Sequence, residues 1–444
     1  MSSVKNYGDV CVIGFHLALV VKYDDRLAPL GMRHWQHWGS MLRSKVTLRN
    51  DKVIARPMRP IYLDYHATSP LDDRVWQAML PYWREMFGNP ASQGHYYGWE
   101  AQAAVELARE QVAASLNTTP ESIIFTSGAT EANNLAIKGV AAAAYSRGRH
   151  IVTVQTEHRA VLEPCRYLES LGFRVTYLPV AADGLVDVER LRQALQPDTI
   201  LVSVMAANNE IGVLQPLAAI GAICRERGIL FHTDAAQAVG KVPLDMQALP
   251  VDLLSLTAHK VGGPKGVGAL FVRQEGVRVP LVPQIHGGGQ ERGWRGGTLA
   301  VPLLVGLGAA LTLAAADRDQ EQARLLALRT QLWQELQKLD DVLLNGAWSP
   351  RLAGNLNVTF LGVNGAELHR HLQPVVAVSS GSACSTGQPS HVLQALGRSA
   401  AEAASSVRFG LGRGTTEAEI RQVVSHIQDI LPRLRQKRVQ KIYT

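Results

Sequence analysis

From Ile61 onward the chain alternates short apolar runs with stretches in which apolar residues recur every three or four positions. The runs at 61–64 (IYLD), 122–125 (SIIF), 150–154 (HIVTV), 173–178 (FRVTYL), 199–205 (TILVSVM), 228–232 (GILFH), 251–256 (VDLLSL) and 267–272 (VGALFV) read as strands. The intervening 100–116, 131–145, 160–171 and 217–227 read as amphipathic helices. This alternation predicts an α/β domain with a mostly parallel sheet, whose active site lies at the carboxyl ends of the strands. A long helical stretch over 298–339 carries the chain onward. Strand patterns at 355–360, 375–380 and 405–412 and helical ones at 365–372 and 416–434 then predict a smaller α+β C-terminal domain. We place the large domain at 58–310, with 58–74 available to pack on the small domain, the small domain at 311–435, and a basic tail at 436–444. Residues 1–57 show no sustained period, and we expect a poorly ordered extension or a product of start-site choice.

Composition narrows the class. With 46% hydrophobic and 19% charged residues over 444 positions, the chain matches a soluble globular enzyme. Its net charge of +7 suggests nucleic acid until it is located: residues 1–57 carry +5 and residues 431–444 another +5, leaving the body at −3. Basic ends on a slightly acidic body, without interleaved aromatics, argue against a nucleic-acid groove. The four cysteines, Cys11, Cys165, Cys224 and Cys384, have neither metal-ligand spacing nor the density of a disulfide framework, so no metal site and a cytoplasmic setting are expected. The apolar run at 10–21 is interrupted by Gly14 and His16 and is too short to span a bilayer, so no membrane partner is expected.

The candidate chemistry gathers where strands end. The segment LLSLTAHKVGGPKGVG puts Lys260 between a buried strand and a glycine-rich loop. Partial desolvation there lowers the pKa of the amine and suits it to Schiff-base chemistry, whereas a solvated loop lysine is the plainer reading of the dipeptide alone. A pyridoxal phosphate lysine also needs an anion site, a carboxylate for the ring nitrogen, a flat group over the ring and a cation for the substrate. In FTSGATEANN, the stretch from Ser127 through Gly128 and Ala129 to Thr130 stands between a strand and a helix, either as a phosphate cradle or as an ordinary cap. Asp234 and Gln237, in HTDAAQ, follow a strand; Asp234 serves either a pyridine nitrogen or a helix start. His158 ends HIVTVQTEH, and Asn209 lies just past another strand in ANNEIG.

The motifs YLDYHATSP, FTSGATEANNLAIKG, TEHRAVL, NNEIG, HTDAAQ, TAHKVGGPKGVGAL, HGGGQERGWRGGT, SSGSACSTG and SVRFGLGR resemble those of the cysteine desulfurases, class V members of the pyridoxal-phosphate transferase fold (aminotransferase fold type I). They span about 60–435 in family order. The resemblance implies that Lys260 carries pyridoxal 5'-phosphate, His158 stacks on its ring, Asp234 meets the ring nitrogen and Gln237 the ring oxygen. Phosphate contacts are implied from Ala129, Thr130, Thr257 and His259, and from Thr298 of a second subunit, hence a homodimer. Asn209 and Arg408 are implied for L-cysteine, Arg408 at its carboxylate. Cys384, among small residues in SSGSACSTG, is implied to take the substrate sulfur as a persulfide. Delivery would follow to a sulfur acceptor or iron–sulfur scaffold protein, where Cys384 is placed to contact a nascent cluster. Cys165 and Cys224 lie on apolar helical patterns and read as core. Thr257 and Ala258 stand where relatives more often carry Ser and Gly, and only four residues separate Cys384 from Pro389, a shorter loop than is usual. Two other readings compete: a selenocysteine or cystine lyase that relies less on Cys384, and a non-catalytic scaffold.

Overall fold

The computed structural model describes residues 59–276, 279–380 and 389–442, with side chains to residue 436, and two short strands nearer the N-terminus. Residues 1–58 and 59–444 are separate units. In the first, β1 (Val12–Ile13) pairs antiparallel with β2 (Leu19–Val20). The expected extension at 1–57 otherwise lies outside the described residues.

The strands of the second unit are β3 (Ile61–Tyr62), β4 (Ile123–Thr126), β5 (His150–Val154), β6 (Arg174–Leu178), β7 (Thr199–Ser203), β8 (Leu230–Asp234), β9 (Leu253–Thr257) and β10 (Gly268–Val272), then β11 (Val342–Leu344), β12 (Asn355–Phe360), β13 (Val376–Ala377) and β14 (Ser406–Gly410). Its helices are α1 (Asp73–Met79), α2 (Tyr96–Ser115), α3 (Ala129–Ala143), α4 (Arg159–Ser170), α5 (Val188–Ala194), α6 (Leu217–Glu226), α7 (Val301–Leu336), α8 (Gly365–Leu372), α9 (His391–Ala395), α10 (Ala400–Ala404) and α11 (Glu417–Ile442).

Seven strands form one sheet in the order β4-β10-β9-β8-β7-β5-β6, in which β10 alone runs antiparallel to its neighbours. Both faces are covered, as the continuous apolar runs demand. Successive residues of a strand point to opposite faces. Thus Phe125, Leu254 and Phe271 join a core with α2, α6 and the first half of α7, while Ile124, Leu253 and Leu270 join another with α3 and α4. Cys165 and Cys224 are fully buried in these layers, and burial pushes both thiols up to about 12.

The second half of α7, through Leu325, Leu328, Leu332 and Leu336, packs with β12, β14 and α11 into a further core. Leu63 belongs to that core. The apolar run at 61–64 therefore does not join the large sheet: β3 lies parallel to β13. Its continuation pairs with β14, as Gly410 N donates to Leu63 O and Tyr65 N to Gly410 O. The small three-stranded sheet is β11-β12-β14. Helix α11 continues past Leu434, where the apolar period ends, because the Gln, Lys and Arg that follow are good helix formers.

Candidate active site at the carboxyl ends of the strands

The parallel strands β4, β5, β7, β8 and β9 all deliver their carboxyl ends to one edge of the sheet, where a cavity of about 490 Å³ opens. Lys260 reaches it from a single 3-10 turn, Ala258–Lys260, directly after β9. A distant segment pins that turn: Ser69 N and Ser69 Oγ donate to His259 O at 2.8 and 2.9 Å, and Gly262 N donates to Ser69 Oγ at 2.8 Å. His259 Nδ1 lies 3.1 Å from Thr68 Oγ1, and burial, with Lys260 and Lys265 nearby, lowers its pKa to about 4.

The candidate anion site is a helix start. Gly128 precedes α3 with φ +148°, a conformation that favours glycine, and no side chain caps the helix. The first-turn N–H groups thus stay available at the cavity rim, beside Thr130 and Thr257. Of the two readings of this segment, ordinary side-chain capping is absent. Ser127 N is bound instead by Glu131 at 2.8 Å, and Arg295 offsets that carboxylate at 2.9 Å.

Asp234, at the end of β8, is 4% exposed. Its Oδ1 accepts from Ala236 N at 2.9 Å and its Oδ2 from Asn133 at 2.7 Å, so it orders the following turn and keeps its carboxylate at the cavity. Gln237 faces the same cavity, donates to His66 O at 2.9 Å and accepts from Lys241 at 3.4 Å. His158 caps α4: its Nδ1 accepts from Ala160 N at 3.1 Å, which leaves the ring proton on Nε2. Burial lowers its pKa; Asp234 opposes that and Lys260 adds to it, so the ring is neutral at pH 7.

Arg408, on β14, is 2% exposed and crosses from the small sheet into the cavity. Its Nη1 donates to Asn209 O at 2.9 Å and its Nη2 to Asp64 at 2.6 Å. Ala129, Thr130, His158, Asn209, Asp234, Gln237, Thr257, His259, Lys260 and Arg408 thus share one cavity. Thr298 does not: it lies exposed beside a second cleft lined by Arg109 and Glu291. Cys384 lies in 381–388, outside the described residues. Immediately after that stretch, Ser390 Oγ donates to Glu210, and His391 Nε2 lies 3.0 Å from Glu157 O, the residue before His158.

Sequence reasoning passed over Asp64, His66, Thr68, Ser69, Asn133, Glu131 and Lys241. The signal lay within reach, since all but Lys241 sit inside YLDYHATSP and FTSGATEANN. An uncapped helix start, a buried carboxylate and a lysine converging on one cavity fit pyridoxal 5'-phosphate by the chemistry of the donor set: N–H groups for phosphate, Asp234 for a ring nitrogen and Lys260 for an aldehyde.

Fold and cavity together define an α/β protein with a polar cavity at the strand ends of a seven-stranded sheet. The aminotransferase class-V family matches residues 61–423, and the chain belongs to that family, whose members depend on pyridoxal phosphate. It is 53% identical over 381 residues to the cysteine desulfurase IscS of Methylobacillus flagellatus, covering 85% of this chain and 93% of that protein. To the cysteine desulfurase of Rattus norvegicus it is 52% identical over 382 residues, covering 85% and 84%. Among solved structures, a NifS-like protein superposes with a TM-score of 0.79 at 39% identity, covering 84% of this chain and all of that one. SspA in complex with cysteine gives 0.70 at 40% identity, covering 79% and 98%.

Proposed function

We propose that the protein is a cysteine desulfurase: it converts L-cysteine to L-alanine and takes the sulfur onto Cys384 as a persulfide. The observation that carries this reading is the convergence of Lys260, Asp234, His158 and Arg408 on one cavity, in a chain whose relatives bear that activity by name. Bound pyridoxal 5'-phosphate supplies an aldehyde for the substrate amine and a ring that takes up the electron pair released at the α-carbon. The α3 N-terminus, Thr130, Thr257 and His259 would hold the phosphate. Asp234, ordered by Asn133, would keep the ring nitrogen protonated, and Gln237 would bond the ring oxygen. His158, a neutral imidazole with its proton on Nε2, would be the flat group to stack on the ring. Arg408 and Asn209 orient the cysteine carboxylate, and the Lys260 amine moves the α-proton.

Cys384 then attacks the substrate sulfur as thiolate. A sulfur–sulfur bond forms, the carbon–sulfur bond breaks, and the carbon fragment takes up a proton and leaves as alanine, while the enzyme keeps the sulfur as a persulfide. That sulfur goes to an acceptor or iron–sulfur scaffold protein in the reducing cytoplasm, a setting suited to the free thiols of Cys165 and Cys224. A homodimer completes the phosphate site. Supporting this, Thr298 stands outside its own chain's cavity, and the surface of 71–107 exposes Trp76, Trp83, Phe87, Tyr97 and Trp99.

The test is to measure alanine and persulfide formed from L-cysteine by the wild type and by Cys384→Ser. We expect both products from the wild type and no persulfide from the variant. Equal turnover of the two would return the protein to the lyase reading, and a colourless, inert wild type to the scaffold reading.

A further inference from the structure

His66 is 3% exposed, and neither of its ring nitrogens has a hydrogen-bond partner among the described residues. Such a group normally finds a partner, because taking it from water without one costs free energy. It lines the active-site cavity with Arg408, Asn209 and Lys260, and also a neighbouring cavity of about 270 Å³ that it shares with Lys241 and Lys260. Its backbone is fixed on both sides. Tyr65 N donates to Gly410 O, and Gln237 donates to His66 O at 2.9 Å.

The ring packs against bare backbone: a Cβ on Gly410 would come within 2.8 Å of His66 Nδ1. Gly410 lies two residues beyond Arg408 on β14, and positions i and i+2 of a strand share a face. The imidazole and the guanidinium are therefore neighbours. Arg408 also keeps one buried donor without a partner, Nε, while Nη1 and Nη2 are taken by Asn209 O and Asp64. Two unpartnered groups able to donate, on one face of one strand and lining one cavity, make a seat for a planar acceptor. Burial, with Lys241, Arg408 and Lys260 around it, holds the His66 pKa well below 6.5, so the ring adds a donor beside Arg408 without adding charge.

We propose that His66 is a substrate-binding residue, donating an N–H to the α-carboxylate of the amino acid that Arg408 also holds. This rests on the amino-acid reading of the cavity above, and it makes the free carboxylate a condition of tight binding.

Equilibrium binding to the cofactor-loaded protein, followed by the cofactor's absorbance, separates the possibilities without turnover. The ligands are L-alanine and L-alaninamide, which differ in the carboxylate alone. His66→Ala should weaken L-alanine roughly tenfold and L-alaninamide less than twofold, the size expected for one hydrogen bond to a charged group. His66→Asn keeps an N–H donor and should recover most of the L-alanine affinity. Equal weakening of both ligands, unchanged affinity for both, or failure of His66→Asn to recover would overturn the assignment. A wild type that responds to neither ligand and forms no alanine from cysteine would instead overturn the activity on which the proposal rests.

Discussion

The guanidinium of Arg408 is buried and meets the carboxylate of Asp64 at 2.6 Å, across 344 positions of sequence. Breaking such a pair leaves a charge in a poorly solvated place, which costs more than the pair contributes relative to an apolar replacement. Asp64→Asn should therefore destabilise the protein by about 2 kcal/mol, discounted because the Asp64 side chain is one-fifth exposed. Urea unfolding at neutral pH measures it, and an unchanged midpoint would show that Asn209 O alone suffices to hold Arg408. Lys260, Asp234 and His158 were legible in the sequence because each closes an apolar strand in a motif of polar and small residues. The partners that orient them were not. Asn133 reaches Asp234 over 101 positions and Ser69 reaches His259 over 190, and no local pattern encodes such a meeting.

At the scale of elements, α3 combines an uncapped start with a preceding glycine at φ +148°. A side chain at Gly128 has room, since an added Cβ would meet only Thr257 Oγ1 at 3.8 Å; the obstacle is the backbone conformation. Gly128→Ala should shift the first turn and weaken cofactor retention by about tenfold, the equivalent of 1–2 kcal/mol of conformational cost. Dialysis against cofactor-free buffer, followed by absorbance, reads the loss; retention equal to the wild type would mean that the first-turn amides do not carry the phosphate. Hydropathy placed the strands of the large sheet and the longer helices within a few residues, because buried strands and amphipathic helices impose their periods locally, but it gave no sign of the short α1, α5, β11, α9 and α10. It did not choose partners. The run at 61–64 reads as a strand like those of the large sheet, yet it joins β13 and β14, since strand pairing is set by the packing of Leu63 into the core around β12 and β14. Helix α7 is likewise one uninterrupted stretch that serves two cores, with Leu304, Leu307 and Leu311 in one and Leu325 to Leu336 in the other. Its close crossing with α2 depends on Gly308, where a Cβ would lie 3.0 Å from Ala108 Cα.

Across the whole molecule, burial depresses the pKa of His66, His150, His158, His232, His259 and His369, among the described residues. Their unfolded value is near 6.5, so below that pH the unfolded chain binds more protons than the native one, and stability falls as pH drops. His232, fully buried between Ser203 and Ser255, has its pKa lowered to about 4, which corresponds to about 3 kcal/mol once both states are protonated. Glu157 and Asp252, whose pKa values are raised by burial, act in the opposite direction, but they are outnumbered. The melting temperature should therefore decline steadily from pH 6.5 to pH 4, with a shallower slope in His232→Asn; a flat profile over that range would contradict the assignment of buried neutral histidines. By itself the sequence determined the alternation of strands and helices, the mostly parallel sheet, the lysine and carboxylate at strand ends and the family, because strand and helix periods and strand-end motifs are written in neighbouring residues. Only the tertiary structure decided which strands 61–64 pairs with, that Asp64 and His66 stand beside Arg408, and that Asn133 and Ser69 set the orientation of the site. Those contacts exist only after chain segments more than a hundred residues apart have been packed together.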